Sequence, residues 1–369
     1  MRITNICHIS TVHGRYDTRI FHKECVSLAS TGYDVILLVA DGLPDELIEG
    51  VKIKSISQKI KSKYRRIMWL PIKMFFAVMK ERSKIVHFHD PELLCVGMVL
   101  KIFGKKVIYD AHEDVVQTIR EKKWIPTKIL REILSMFVRL ANILSARVFF
   151  NLIITATDTI NTTFPQKNIV TINNYPIISK LSADIKKTET NEPIIIYAGG
   201  LTEIRGIREL IQALHFVKSP CVLHLLGNWD SDNYKKACMA ENGWVKVRYF
   251  GFLSLEETYV YLQQAMIGIV NFLPLPNHIH SRPNKVFEYI ACAKPVVISH
   301  FESWKTLFSD CALFVDPQKP QEIAEAIDRL LIDSDLRSRL GEIGKKKVLE
   351  HYSWESEENK LLTLYSTLT

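Results

Sequence analysis

The sequence predicts an α/β protein built from two doubly wound domains that face each other across a deep cleft. Short apolar runs alternate with amphipathic segments from one end of the chain to the other, the pattern of parallel strands covered by helices. A polar stretch near the middle interrupts this alternation, which then starts afresh. At 369 residues the chain exceeds one ordinary core and suits two domains of about 150–200 residues each.

In the first half, "ITNICHI", "DVILLVA", "VKIKSI", "KIVHFH", "KKVIYDA" and "NLIITA" read as strands. Helix candidates between them include "TRIFHKECVSLAST" and a long segment over 127–146. Together they define an amino-terminal domain over 1–178. The linker is expected at 179–192, where "SKLSADIKKTETNE" is polar and lacks apolar periodicity. The scheme restarts with "PIIIYAG", "CVLHLLG", "VKVRYFG", "IGIVNF", "PVVIS" and "ALFVD", giving a carboxy-terminal domain over 193–350. From Pro320 onward the chain reads as helical, with Ile323, Ile327, Leu330 and Leu331 at 3–4 spacing. Residues 351–369 are expected to form a helix that packs back toward the amino-terminal domain. No fixed-period repeat appears.

Composition narrows the class. The seven cysteines are scattered and never form a C-x-x-C pair, which argues against a disulfide framework or a zinc site and suits a reducing cytosol. Met1 leads directly into a first strand, so no signal peptide is expected. The most apolar stretch, "ILREILSMFVRLANILSARVFFNLIITA", is broken by Arg131, Glu132, Arg139 and Arg147 and does not read as a spanning helix. Charge is uneven: residues 1–180 hold 27 Lys and Arg against 16 Asp and Glu, and the remainder hold 21 against 24. Within the first half, residues 52–80 carry nine basic residues and no acid, interleaved with Ile, Met, Trp and Phe. That pattern suits an anionic membrane surface, and equally a solvated basic face over a core helix. No nucleic-acid recognition motif accompanies the charge, and nucleic acid is not expected as a partner.

Ligands in doubly wound sheets sit beyond the carboxyl ends of the strands, so the loops there hold the candidate chemistry. In "STVHGRYDTRI", Gly14 lets a ligand approach the backbone just before a helix amino terminus. There is no G-x-G-x-x-G, which lowers the odds of a nicotinamide or flavin enzyme. "VHFHDPELL" and "VIYDAHEDV" each set His beside Asp at a strand end. His89, Asp90, His112, Glu113 and Asp114 are therefore candidates for hydrogen-bonding a polyol, for acid/base chemistry or for a metal, although the spacing is not that of common zinc helices. His87 reads as a packed strand residue. In "YAGGLTEIRGIREL", Gly199, Gly200 and Gly206 loosen the turn and Arg205 stands at a helix start, an arrangement suited to clamping pyrophosphate. Gly227 in "HLLGN" and the "RYFGFLS" turn around Phe250 leave room for a flat base. In "HIHSRPNKVFEYIACAKPVVIS", Asn284 and Lys285 open a helix, and Glu288 is placed to accept both hydroxyls of a ribose.

These stretches, with "HYSWES" near the end, resemble the retaining GT-B glycosyltransferases of family 4. The first half is similar to a subgroup of bacterial polysaccharide and lipopolysaccharide transferases through "YDTRIFHKECVSLASTGYDV", "HFHDPELL", "GKKVIYDAHEDV" and "KKWIP". The resemblance implies two facing Rossmann-like domains, with a nucleotide-diphosphate sugar on the carboxy-terminal one and the acceptor on the amino-terminal one. It implies that Glu288 is the later acid of a Glu–seven–Glu element and that His112 is the histidine near the transferred sugar. Gly14 matches a glycine loop next to the diphosphate, and Arg205 keeps the charge of a family lysine. Two positions depart from the pattern: His280 replaces the earlier acid, and Gly200 replaces an arginine. The neighbouring Ser281, Arg282, Asn284 and Lys285 fall on the donor side, and Arg15, Asp17, His89, Asp90 and Glu113 on the acceptor side.

The resemblance implies transfer of a hexose-like sugar, with retention, from a UDP- or GDP-linked donor to a glycan or lipid-linked acceptor in cell-surface polysaccharide synthesis. His112, Arg205 and Glu288 carry it. Cations and helix N–H groups stabilise the leaving pyrophosphate, so neither a cofactor nor a metal is expected. The location expected is cytoplasmic and peripheral at the inner membrane face, through residues 52–80. Two other readings stand beside this one: a nucleotide-sugar-binding partner subunit with impaired catalysis, and a non-transferring GT-B nucleotide-sugar epimerase.

Overall fold

The computed structural model describes residues 4–57, 63–121, 125–165, 168–181 and 192–368. The chain divides into two compact units, Met1–Asn174 with Glu355–Thr369, and Tyr175–Trp354. Most of the expected linker, residues 182–191, lies outside the described residues, as do residues 58–62 of the basic segment and 122–124 of "KKWIP". Residues Ile178–Leu181 form a short helix that belongs to the second unit.

The first unit holds an eight-stranded sheet. Its strands are β1 (Asn5–Ile9), β2 (Asp34–Val39), β3 (Glu46–Ile48), β4 (Val51–Ser55), β5 (Ile85–Phe88), β6 (Lys106–Ala111), β7 (Leu152–Thr155) and β8 (Ile169–Thr171), in the order β3-β4-β2-β1-β5-β6-β7-β8. All pairs are parallel except β3 with β4, a hairpin through Glu49–Gly50. The inner strands are buried along their length because helices cover both faces, which is why they read as unbroken apolar runs. The strands β3 and β8 escape sequence reading: three residues on a sheet edge are too few to show a period. Asp17 caps the first helix, accepting from the backbone N–H of Arg19 at 2.9 Å and of Ile20 at 3.0 Å. That helix is π-wound over Thr18–Cys25 and continues as an α-helix over Val26–Ser30.

The second unit holds six parallel strands: β9 (Ile194–Ala198), β10 (Val222–Leu226), β11 (Val247–Gly251), β12 (Ile267–Val270), β13 (Val296–Ser299) and β14 (Ala312–Val315). Their order is β11-β10-β9-β12-β13-β14. In each sheet the winding reverses direction once, between β1 and β5 in the first and between β9 and β12 in the second. Loops leaving the two strands at such a switch diverge to opposite faces and open a crevice between them.

Candidate functional site

At the β9/β12 switch the loop after β9 runs through Gly199 and Gly200 to Arg205, then turns into the helix Ile207–Phe216. Gly206 makes that turn at φ 62°, and a Cβ there would overlap the backbone carbonyl of Asn271, which follows β12. Asn271 returns the contact, donating from Nδ2 to Gly206 O at 3.1 Å and to Pro317 O at 3.1 Å. The two switch loops are thus tied together at the helix start.

Arg205 folds back over the loop. A Cβ on Gly199 would lie 2.9 Å from an Arg205 guanidinium nitrogen and 3.7 Å from Lys285 Cε, and one on Gly200 would lie 3.6 Å from the same guanidinium. Arg205 and Lys285, from different loops, therefore converge on the Gly199–Gly200 backbone. The guanidinium also lies 5.4 Å from the centre of the Phe272 ring, and no carboxylate among the described residues pairs with it. Tyr197 supports the loop, its hydroxyl donating to Gly200 O at 3.1 Å. Glu288 sits in the helix Asn284–Ala291, whose residues from Val286 to Ala291 are all buried; Lys285 Nζ lies 3.3 Å from its Oε2. A buried carboxylate beside a cation can accept hydrogen bonds from hydroxyl donors. Ser281 is fixed in the preceding loop: its hydroxyl donates to His278 O at 2.9 Å, and Trp304 Nε1 donates to its carbonyl at 2.7 Å. Arg282 reaches the Tyr175 hydroxyl at 3.4 Å. His280 is exposed at the end of the four-residue helix Pro276–Ile279.

Two donor-side residues have close neighbours within the second unit. Gly227, at φ 136°, lets the loop after β9 cross it: the space of its missing side chain is filled by the Gly199 carbonyl. Phe250 packs against His224 and Tyr261, with ring centres 4.9 and 4.6 Å away, in an aromatic cluster of the core.

At the β1/β5 switch of the first unit, Asp90 organises the loop after β1. Its Oδ2 accepts from the Thr11 N–H at 2.5 Å, the Ser10 hydroxyl at 2.9 Å and the Thr11 hydroxyl at 3.2 Å, and His13 Nδ1 lies 3.0 Å from Oδ1. Burial alone would raise the Asp90 carboxyl; His13, the Thr11 N–H and the Ser10 hydroxyl outweigh it and hold the pKa at about 2. Burial pulls the His13 imidazole down, but its bond to Asp90 wins and the pKa is raised. Gly14, beyond this clamp, is exposed, and a Cβ on it would meet nothing within 4 Å. Arg15 is buried and engaged, donating to Asp41 Oδ2 at 2.6 Å, Pro44 O at 3.0 Å and Glu46 Oε1 at 2.5 Å. Asp17, half-buried, uses its Oδ1 to cap the helix. Glu113 is exposed.

His112 is half-buried, with Nε2 2.6 Å from Asp110 Oδ2 and 3.3 Å from His89 Nδ1. Asp110 is fully buried and takes both bonds of a fork from Arg19, at 2.8 and 2.7 Å. This fixes which nitrogen of His112 faces inward. The ring of His13 stands 4.9 Å from that of His112, so the half-exposed end of the cluster carries two imidazoles. Sequence reading missed His13, although it lies in the quoted loop; it also missed Tyr197 and Phe272, whose strand-like surroundings give no polar signal.

Residues 180–347 match the family described as "Glycosyl transferases group 1". An uncharacterized glycosyltransferase of Methanocaldococcus jannaschii is 25% identical over 182 residues, 48% of this chain and 45% of that protein. The capsular polysaccharide biosynthesis glycosyltransferase CapM of Staphylococcus aureus is 22% identical over 320 residues, 80% of each chain. The match to the first of these thus spans about half its length. Among solved structures, a sucrose-phosphate synthase from Thermosynechococcus elongatus superposes with a TM-score of 0.75 at 18% identity, covering 99% of both chains. HepE of Anabaena in complex with UDP-glucose gives 0.74 at 14%, covering 98% of this chain and 99% of that one. These likenesses show the fold: two Rossmann-like units of the GT-B type. The segment that matches this family, 180–347, contains the β9/β12 switch point and its two converging cations.

Proposed function

We propose that this protein is a retaining glycosyltransferase that moves a sugar from a UDP- or GDP-linked donor to a glycan or lipid-linked acceptor in cell-surface polysaccharide assembly. The observation that carries this reading is the convergence of Arg205 and Lys285 on the Gly199–Gly200 backbone beside the buried Glu288. Breaking a glycosyl–phosphate bond puts negative charge on the leaving diphosphate. Two fixed cations and the amino terminus of helix Ile207–Phe216 are placed to receive it, so the step needs no metal at the phosphates. Glu288 accepts from the ribose hydroxyls, and His112, oriented by Asp110, hydrogen-bonds the transferred sugar. The leaving phosphate takes the acceptor proton, which dispenses with a protein nucleophile. His280 is exposed and donates or accepts a neutral hydrogen bond where the family places an acid. CapM is named for capsular polysaccharide synthesis and HepE is solved with UDP-glucose; both support the substrate class.

The same reading places the protein at the cytoplasmic membrane face. No helix among the described residues is long and apolar enough to cross a membrane. Helix Lys128–Leu144 exposes Ile133, Met136, Phe137 and Leu140 together with Lys128 and Arg139, and helix Lys63–Glu81 exposes Trp69, Ile72 and Phe76. Apolar residues flanked by cations suit an anionic lipid surface. The test is a thermal-shift series with UDP, GDP and their sugar conjugates, followed by turnover with a lipid-linked acceptor. Stabilisation should grow with free ligand as RT ln(1 + [L]/Kd) and vanish in Arg205→Ala and Glu288→Ala. No shift at millimolar nucleotide would overturn the donor site and favour the impaired partner subunit. Release of free sugar isomers with no acceptor present would favour the epimerase.

A further inference from the structure

The first unit buries more ionisable chemistry than the proposed reaction uses. His8 on β1 and His87 on β5 are register partners on adjacent parallel strands, so their side chains leave the same face of the sheet. His89 follows two residues after His87 and returns to that face. The π-wound helix Thr18–Cys25 crosses it and delivers Glu24. All four side chains are buried, and one donor atom from each lies within 4.8 Å of the others.

Glu24 is the residue that ordinary packing leaves unexplained. Neither of its oxygens receives a hydrogen bond, although both are buried. Arg19 Nε approaches Oε1 at 3.2 Å, but the Arg19 fork is directed at Asp110. A buried carboxylate without hydrogen bonds costs several kcal/mol, so it calls for a proton or a cation. Without a cation the carboxyl holds a proton, because burial and the neighbouring Asp110 carboxylate push it well above the ordinary range; the imidazole nitrogens, His87 Nδ1 at 3.7 Å and His8 Nδ1 at 4.0 Å, stand too far to accept that O–H, and a bound cation would displace it. The separations do suit a shared ion. Ligand atoms about 2.1 Å from a tetrahedral ion stand roughly 3.4 Å apart. Here His8 Nδ1 and His89 Nε2 are 3.0 Å apart, and Glu24 Oε2 stands 3.7 Å from His87 Nδ1 and 4.0 Å from His8 Nδ1. His89 Nδ1 also lies 3.2 Å from Asp110 Oδ2, the carboxylate–imidazole pairing that orients metal-bound histidines. The Tyr365 hydroxyl lies 2.7 Å from His87 Nδ1 and competes with an ion for that nitrogen, while His87 Nε2 is buried without a hydrogen-bond partner.

We propose that His8, Glu24, His87 and His89 form a buried structural site for one divalent first-row transition ion. Three imidazoles and one carboxylate are the donor set of zinc, and the lack of solvent access excludes an open position for catalysis. The ion joins β1, β5 and the π-wound helix beneath the loop that Asp90 clamps. The site does not depend on the transferase reading.

The full chain, expressed without a histidine tag, tests it by elemental analysis. About one equivalent of zinc per chain is expected. After chelation the melting temperature should fall and be restored by Zn2+, and Co2+ should give the visible absorption of a tetrahedral nitrogen–oxygen site. Glu24→Gln, which keeps the shape, should lower bound metal at least tenfold, as should His87→Ala, while His280→Ala retains it. Less than a tenth of an equivalent in the wild type, with no thermal response to added Zn2+, overturns the proposal. So does one equivalent that survives Glu24→Gln.

Discussion

The two switch points treat their charged residues in opposite ways. At β1/β5, Arg15, Arg19, Asp90 and Asp110 are all buried, and each is bonded within its own unit. At β9/β12, Arg205 and Lys285 remain half-buried over a glycine backbone, and Arg205 has no carboxylate partner among the described residues. Charge at a strand end therefore has two uses, holding the loop in place or meeting a ligand. The number of partners already satisfied separates them, and it is a property of the fold rather than of the motif.

The largest test of this contrast exchanges the two arginines' fates. Arg19→Ala strands Asp110 in the core, and breaking a buried ion pair in this way costs about 3–5 kcal/mol. Urea unfolding should register that loss directly. Arg205→Ala should leave stability within about 0.5 kcal/mol, as surface-type changes do. Its effect should appear instead as a fall in kcat/KM of about a hundred- to a thousandfold. Comparable stability losses in both variants would dissolve the distinction.

Within the second unit the contrast lies between Glu288, buried, and His280, exposed. Glu288→Ala should weaken donor binding by about a hundredfold, the scale of a charge-assisted hydrogen-bond pair. His280→Ala should cost less than about tenfold. Equal, small losses measured by calorimetry with the donor would remove Glu288 from the nucleotide site.

Acid titration probes the clamp at the first switch point. The Asp90 carboxyl is held at about 2 against an ordinary 3.8, so its folded pKa is depressed. A depressed acid contributes stability that is complete above 3.8 and is lost as pH falls from there through about 2. The contribution is about 2.5 kcal/mol, from a fall of about 1.8 at about 1.4 kcal/mol per pKa unit. His13, raised above 6.5, works from the other side: its share is complete below 6.5 and is lost as pH rises through the folded value. Denaturant midpoints should therefore be highest between about pH 4 and 6.5 for this pair. Asp90→Asn should remove both slopes; an unchanged acid limb would show that Asp90 is not the clamp.

The strands that build both sheets were legible because a parallel sheet buries both faces and writes itself as apolar runs such as "DVILLV" and "VLHLL". The cations at 205 and 285 and the acid at 288 were legible because a helix start narrows what a charge can do there. Partnership was not legible. Arg15 bonds Asp41 and Glu46, and Arg19 bonds Asp110, across separations of 26, 31 and 91 residues that no local pattern encodes. The sequence does not show that the place of Gly227's missing side chain is taken by the Gly199 carbonyl, a neighbour only once β9 and β10 pair. Nothing in the helix candidate "TRIFHKECVSLAST" marks Glu24; its burial against His8 and His87 depends on the π-winding and on which strands lie next to each other.

The smallest expected effect on stability belongs to Gly14, and that makes it a clean probe. Its φ is not left-handed and a Cβ would meet nothing within 4 Å, so Gly14→Ala should change unfolding free energy by less than about 0.5 kcal/mol. Gly227→Ala, the opposite case, would force a methyl into the Gly199 carbonyl and lower the melting temperature plainly. If the donor diphosphate passes close to the Gly14 backbone, the added methyl should raise the donor KM several-fold while the fold stays intact. An unchanged KM would mean that the open space above Gly14 is only a surface turn. Gly14 would then drop out of the proposed donor site.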